Sequence, residues 1–164
     1  MNKKTLYLTH AAVIAALYVV LTFLANALGL ASYAIQLRFS EALTILPFFT
    51  PAAIPGLFAG CLLSNIFIGA AFPDILFGSL ATLVGAVFTW KLRAHKWLAP
   101  LPPIIANAII IPPVLLFAYQ LGPLWFNFLT VTIGEILSCG VLGMLLLFTL
   151  QKYAKVLFSP ELRN

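Results

Sequence analysis

The stretch from Gln36 to Gly56, QLRFSEALTILPFFTPAAIPG, places two charges and three prolines inside an otherwise apolar chain. Arg38 and Glu41 are three residues apart, so on a helix they share a face and can pair, with Thr44 and Phe48 continuing that face. Pro47, Pro51 and Pro55 follow at four-residue intervals. Each proline removes a backbone donor and crowds the turn before it. The pattern predicts a short helix ending near Phe49, a break, and a second helix with Thr50 as cap and Pro51 as first residue. Where lipid is the solvent, such broken backbone survives only when other protein or a cavity covers it.

Composition identifies the solvent. Hydrophobic residues make up 63% of the chain and charged residues 8%, with a mean hydropathy of +1.09. A soluble domain carries roughly 25% charged residues, so the chain reads as an all-α integral membrane protein. Its 164 residues accommodate about six spans of roughly 20 residues with minimal loops. A single membrane domain is expected over residues 1–164, and any nucleotide-binding domain has to come from another chain. The net charge of +5 does not point to nucleic acid, because the basic residues sit where apolar segments end. Cys61 and Cys139 fall within apolar segments without a Cys or His at metal spacing, and read as small core residues.

Spans are expected at about 6–30, 37–49, 52–70, 74–90, 101–119 and 124–150. The apolar run from Leu6 to Leu30 follows Lys3 and Lys4 but is too long for a signal-peptide core. Within it, Ala11 and Ala15 form one small-residue stripe and Ala12 and Ala16 another. Small residues four apart let helices approach closely in lipid, either within the chain or against a partner. The second span is too short to cross about 30 Å unaided, since a helix rises only 1.5 Å per residue. Gly56, Gly60 and Ser64 make a helix-packing stripe on the third, and the neighbouring Asn65 reads as structural. Asp74 opens the fourth span, where it suits a helix N-terminus electrostatically, a ligand role being the alternative. Pro102, Pro103, Pro112 and Pro113 are expected to interrupt the fifth, and the sixth contains Glu135.

Charge sets orientation. With six spans, one side holds Lys3, Lys4, Lys91, Arg93, Lys96, Lys152, Lys155 and Arg163, eight of the nine basic residues. That side, with both termini, is expected to be cytoplasmic. Arg38 is the exception. Inside the spans the groups able to carry chemistry are Arg38, Glu41, Asn107 and Glu135. Each charge at mid-membrane costs on the order of 2.5–3.5 kcal/mol on insertion scales, so these residues need partners or water. One solution is an internal ion pair tying helices together. The other is an outward-opening polar pocket for a small, flat, hydrogen-bonding solute, with Tyr33, Phe39, Trp125 and Phe126 available for stacking.

Missing motifs narrow the function further. No GxxxxGK followed by Ser or Thr occurs, so no P-loop is available, and no HExxH, GxSxG or paired-aspartate metal motif is present. Neither a catalytic residue, a metal nor a cofactor is called for. Hydropathy shows no inverted duplication of the kind seen in secondary carriers. A stand-alone carrier or proton-coupled channel would nevertheless also use buried acids.

The run Gln36 to Asn65 and the segment DILFGSLATLVGA, Asp74 to Ala86, resemble the QueT family of bacterial membrane proteins. Its members are taken to be substrate-binding S-components of energy-coupling factor (ECF) transporters for queuosine precursors. The resemblance implies a six-helix S-component in the cytoplasmic membrane, with its pocket beneath the connections at about residues 29–36, 69–74 and 120–124. It also implies partners, namely a transmembrane coupling protein and a pair of cytoplasmic ATPases, with Ala11, Ala12, Ala15 and Ala16 presented to the coupling protein. Such S-components are thought to topple in the membrane to deliver their load. For the implied deazaguanine, Glu41 or Glu135 can accept the ring amide N–H and exocyclic amine together, while Arg38, Gln36 or Asn107 donates to the carbonyl. An S-component for another vitamin-like solute would look the same in sequence.

Overall fold

The computed structural model describes residues 2–30 and 37–158, without the side chain of Lys155. Tyr33, Gln36 and Arg163 lie outside the described residues. The described chain forms six α-helices: α1 (Lys3–Ala27), α2 (Ala53–Phe67), α3 (Phe72–Lys91), α4 (Leu101–Tyr119), α5 (Leu124–Glu135) and α6 (Met144–Leu157). A 3₁₀-helix, Phe39–Phe48, precedes α2, and a π-helical segment, Ile136–Gly143, joins α5 to α6. Helices that follow one another in sequence pack side by side, from α1 on α2 through to α4 on α5. The 3₁₀-helix packs against α1, α3 and above all the π segment.

The stretch that opened the sequence reading adopts an unusual backbone for a physical reason. Runs of 3₁₀ structure longer than three or four residues are uncommon, because the hydrogen-bond geometry is poorer. At about 2.0 Å per residue, however, ten residues reach about 20 Å, where an α-helix would reach about 15 Å. The short second span is thereby stretched, and every residue from Ser40 to Pro47 is buried. The predicted break is present: Thr50 Oγ1 accepts from Ala52 N at 3.3 Å and Thr50 O accepts from Ala53 N at 3.2 Å. The expected start is displaced, however: the N-cap of α2 is Ala52, without a side-chain cap hydrogen bond, and regular α-helix begins at Ala53, two residues after Pro51.

Small residues bring the rods together. A Cβ added at Gly56 would lie 2.6 Å from Ala11 O, and one at Gly60 would lie 2.7 Å from Tyr18 Cβ and 3.0 Å from Ala15 O. Ala11 and Ala15 therefore belong to the α1–α2 contact within the chain, whereas Ala12 and Ala16 are exposed. The four prolines of α4 do not interrupt it. Pro102 and Pro103 occupy its first turn, where backbone donors have no helical acceptor anyway. Pro112 and Pro113 lie inside a helix that continues through them, covered by neighbouring helices.

Lys3–Ala27, Phe72–Lys91, Lys96–Tyr119 and Leu124–Ala154 are long and apolar enough to cross a bilayer. Their exposed surfaces carry Leu, Val, Ile and Phe, whereas Glu41, Thr44, Thr50, Thr82 and Thr89 are fully buried. The chain is a multi-pass membrane protein. Replacing Gly60 with Val is expected to lower stability by about 1–3 kcal/mol, measured as unfolding in detergent. Gly140→Ala, where the nearest atom to an added Cβ is 3.7 Å away, is expected to leave stability nearly unchanged.

Candidate functional site

The 3₁₀-helix and the π segment pack against each other and, with Glu135 at the end of α5, bring together a cluster of buried polar groups. In a 3₁₀-helix residues three apart eclipse one another, so Arg38, Glu41 and Thr44 line one edge. Glu41 N donates to Arg38 O at 3.1 Å. The Tyr18 hydroxyl of α1 donates to Glu41 Oε1, and Thr44 Oγ1 donates to Glu41 O at 2.6 Å. From the facing segment, Cys139 Sγ donates to Glu135 Oε2 at 3.2 Å and lies 3.4 Å from Glu41 O. It also lies 3.3 Å from Thr44 Oγ1. Ser138 Oγ accepts from Arg38 N at 3.2 Å.

Ligand atoms of Glu41, Glu135 and Cys139 fall within 4.8 Å of one another, a spacing that a divalent cation bridges. In the structure the trio is tied by protons, with the Tyr18 hydroxyl and the Cys139 thiol as donors. Two like charges at that separation repel by about 3 kcal/mol at an effective dielectric of about 20. Arg38 opposes this repulsion, since its guanidinium acts electrostatically on both Glu41 and Glu135. Asn107 is buried beside Glu135, but its Nδ2 makes no well-formed hydrogen bond.

Next to this cluster lies a cavity of about 260 Å³, near the lower end of the range of small-molecule pockets, about 300–1,000 Å³. Arg38 and Ser40 enter it from the 3₁₀-helix, Tyr18 and Asn26 from α1, Ser64 and Asn65 from α2. Asp74 and Tyr119 complete the wall, and Gly69, Ala70 and Leu121 form its rim. Gly69, at φ 70°, makes the left-handed turn that brings α3 back beside α2. The Tyr119 hydroxyl donates to Asp74 Oδ2 at 3.0 Å and accepts from Ala71 N at 3.0 Å. Asp74 is only 6% exposed, and its Oδ1 has no partner. A gap of about 10 Å³ lined by Arg38, Ile111, Val131 and Glu135 lies deeper.

Of the residues singled out from sequence, Arg38 lines the cavity and Glu135 the gap. Glu41 stands behind Tyr18 with 1% exposure, and Asn107 lines neither space. Two readings gain detail. Asp74 lies in the first turn of α3, as the electrostatic reading expects, without a cap hydrogen bond, and it also lines the cavity. Cys139 is a buried core residue, as expected, and its thiol also bonds toward both acidic segments. The aromatic wall is also different: Trp125 is 65% exposed and Phe126 points outward, while Tyr18 and Tyr119 line the cavity. Asn65, read as structural, lies on its wall with its Nδ2 3.5 Å from Asp74 O. The signal for Asp74 and Tyr119 is weak in sequence, because their pairing spans 45 residues.

A family model described as QueT transporter matches residues 8–152 of the chain. The queuosine precursor transporter QueT of Lactococcus lactis subsp. cremoris (strain MG1363) is 37% identical over 83 residues, which are 51% of this chain and 48% of that protein. The aligned segment thus spans about half the length of that curated relative. No solved structure matches the chain.

Removing the Tyr18 hydroxyl leaves Glu41 Oε1 buried without its donor. Tyr18→Phe is expected to destabilise the protein by about 1–3 kcal/mol in detergent unfolding. Tyr7→Phe, which loses a 3.3 Å bond to Pro51 O in a part-buried setting, is expected to cost clearly less.

Proposed function

The chain belongs to the QueT transporter family, and on that premise we propose that it is the substrate-binding S-component of an ECF importer for a queuosine precursor. In this reading the protein crosses the membrane six times with both termini in the cytoplasm. The distribution of charge supports that orientation, because the cavity and Arg38 lie at the end of the bundle away from Lys91, Arg93 and Gln151. The cavity then opens outward, under the rim that includes Gly69, Ala70 and Leu121.

One observation carries the proposal: Asp74, whose buried Oδ1 has no partner, lines a cavity that also receives a guanidinium, Arg38. A deazaguanine presents an amide N–H and an exocyclic amine side by side, and one carboxylate accepts both. Its ring carbonyl takes a hydrogen bond from a donor such as Arg38 or the Asn65 amide. The Tyr18 and Tyr119 rings offer flat apolar surface. Asp74 takes the role of first ligand that the sequence reading assigned to Glu41. Glu41 orients Tyr18 and Arg38 from behind, and Glu135 with Asn107 closes the deeper gap as the partner for a substituent that reaches it.

In the same reading the energy comes from other chains, a transmembrane coupling protein and two ATPase subunits. Ala12 and Ala16 remain exposed on α1 and are the part of the alanine stripes free to meet the coupling protein. The binding test is the thermal stability of the purified protein with deazaguanine precursors, guanine, biotin, thiamin and riboflavin, since a ligand selective for the folded state raises stability by mass action. A shift confined to deazaguanines is expected, with affinity at least tenfold weaker in Asp74→Asn, about 1.4 kcal/mol. Unchanged affinity in Asp74→Asn would remove the site assignment, and a shift with a different vitamin would replace the substrate. For the partner, Ala12→Leu with Ala16→Leu is expected to keep ligand binding while reducing copurification with the coupling module.

A further inference from the structure

A second cavity, of about 600 Å³, lies at the opposite end of the bundle. It is bounded by the end of the 3₁₀-helix at Phe48 and Phe49, the end of α3 at Trp90 and the following Arg93, and Gln151 of α6. The Arg93 guanidinium stacks on the Trp90 indole, 3.4 Å from the ring centroid. Stacking occupies the face of the guanidinium and leaves its edge donors, and among the described residues none accepts a hydrogen bond from them. Lys91 lies over Phe88 at 5.2 Å, and Lys96 lies between Trp97 and Phe148 at 5.6 and 5.4 Å. These cations are held on aromatic surfaces at the rim of the bundle, with their heads outward.

Among the described residues, the charge of this end is one-sided. The described acids Glu41, Asp74 and Glu135 all belong to the central cluster or the first cavity. Two helix ends, those of α3 and α6, bring carbonyl groups equivalent to roughly half a negative charge each. Lys91, Arg93, Lys96 and Lys152 outweigh them. A free inorganic anion would use the guanidinium edge but gain nothing from Phe48, Phe49 and Trp90. A headgroup with a glycerol and the first methylenes of its chains uses both halves of the groove. Trp90 and Trp97 also mark the depth at which aromatic residues settle at a membrane interface.

We propose that this groove binds the phosphate headgroup of an anionic phospholipid, with Arg93 as the principal donor and Gln151 as a second polar contact. The site is separate from the precursor cavity and does not depend on what fills that cavity. Each basic residue near an anionic membrane surface is attracted to it, so the groove concentrates at one point an attraction that the surrounding lysines provide diffusely.

The test uses the full-length protein purified in a neutral detergent and titrated separately with a short-chain phosphatidylglycerol, the matching phosphatidylcholine and inorganic phosphate, with thermal stability as readout. Phosphatidylglycerol is expected to raise the melting temperature with a half-effect at a concentration at least fivefold below that of phosphatidylcholine. Arg93→Gln and Ala94→Trp, the latter filling the groove while keeping every charge, are each expected to raise that concentration at least fivefold. Equal effects of the two lipids, or an equal effect of inorganic phosphate, would overturn the proposal. So would an undiminished phosphatidylglycerol effect in both variants, and if those variants also failed to assemble with the coupling module, the groove would be a protein-docking surface instead.

Discussion

The contact between the 3₁₀-helix and the π segment is the constraint on which the rest of the structure depends. Both backbones depart from the α-helix in opposite senses, one drawn out and the other widened, and both departures are rare at these lengths. Together they set the Glu41 carbonyl, Thr44 and Cys139 within hydrogen-bond distance. An ordinary α-helix over Phe39–Phe48 would fall about 5 Å short and rotate Arg38, Glu41 and Thr44 off their common edge. Acids then would face lipid, at a cost of several kcal/mol each. Gly143 makes the contact possible, for a Cβ there would lie 3.0 Å from Ile45 Cγ2.

From this centre the remaining helices acquire their positions. Tyr18 must reach Glu41, which fixes the rotation of α1 and directs Ala11 and Ala15 against Gly56 and Gly60. The same rotation leaves Ala12 and Ala16 outside. Two small-residue stripes one position apart on one helix thus have different fates, set by the hydrogen bonds from Tyr18 and Tyr7 together with the close approach of Gly56 and Gly60. On the far side, a Cβ at Gly85 would lie 2.8 Å from Pro103 Cα, so α4 sits close against α3 and Tyr119 arrives beside Asp74.

Much of this was legible in the sequence because proline and charge are local signals. The break at Thr50 and Pro51, the limits of α4 and the centrality of Arg38, Glu41 and Glu135 all follow from residues a few positions apart. The family resemblance, stated from the motifs between Gln36 and Ala86, agrees with the matched family model. What escaped depends on distance or on backbone class. Nothing near Glu135 marks a π segment, since its residues are ordinary helix formers with glycines at 140 and 143. Asp74 near a helix start has a sufficient local explanation as a favourable charge, and only packing of α4 against α3 brings Tyr119 to it on the cavity wall. Cys139 carries no ligand spacing in sequence, because its partners lie 4 and about a hundred residues away, at 98 for Glu41.

The distribution of polarity explains why these misses cluster at the site. In water, apolar burial drives folding and polar groups stay outside; here the exposed residues are Leu, Val, Ile and Phe, and many fully buried ones are Thr, Ser and Glu. Lipid gives apolar side chains little reason to prefer the interior, so association rests on close packing and hydrogen bonds. Thr82 Oγ1 returns to Gly78 O at 3.1 Å and Thr89 Oγ1 reaches Ala99 O at 3.0 Å, each spending its donor within the helical bundle. Against that background, the buried polar atoms without a partner among the described residues, Ser40 Oγ, Glu41 Oε2, Asp74 Oδ1 and Asn107 Nδ2, belong to the central cluster and to the walls of the spaces beside it, which is where groups left unbonded inside a fold call for an explanation.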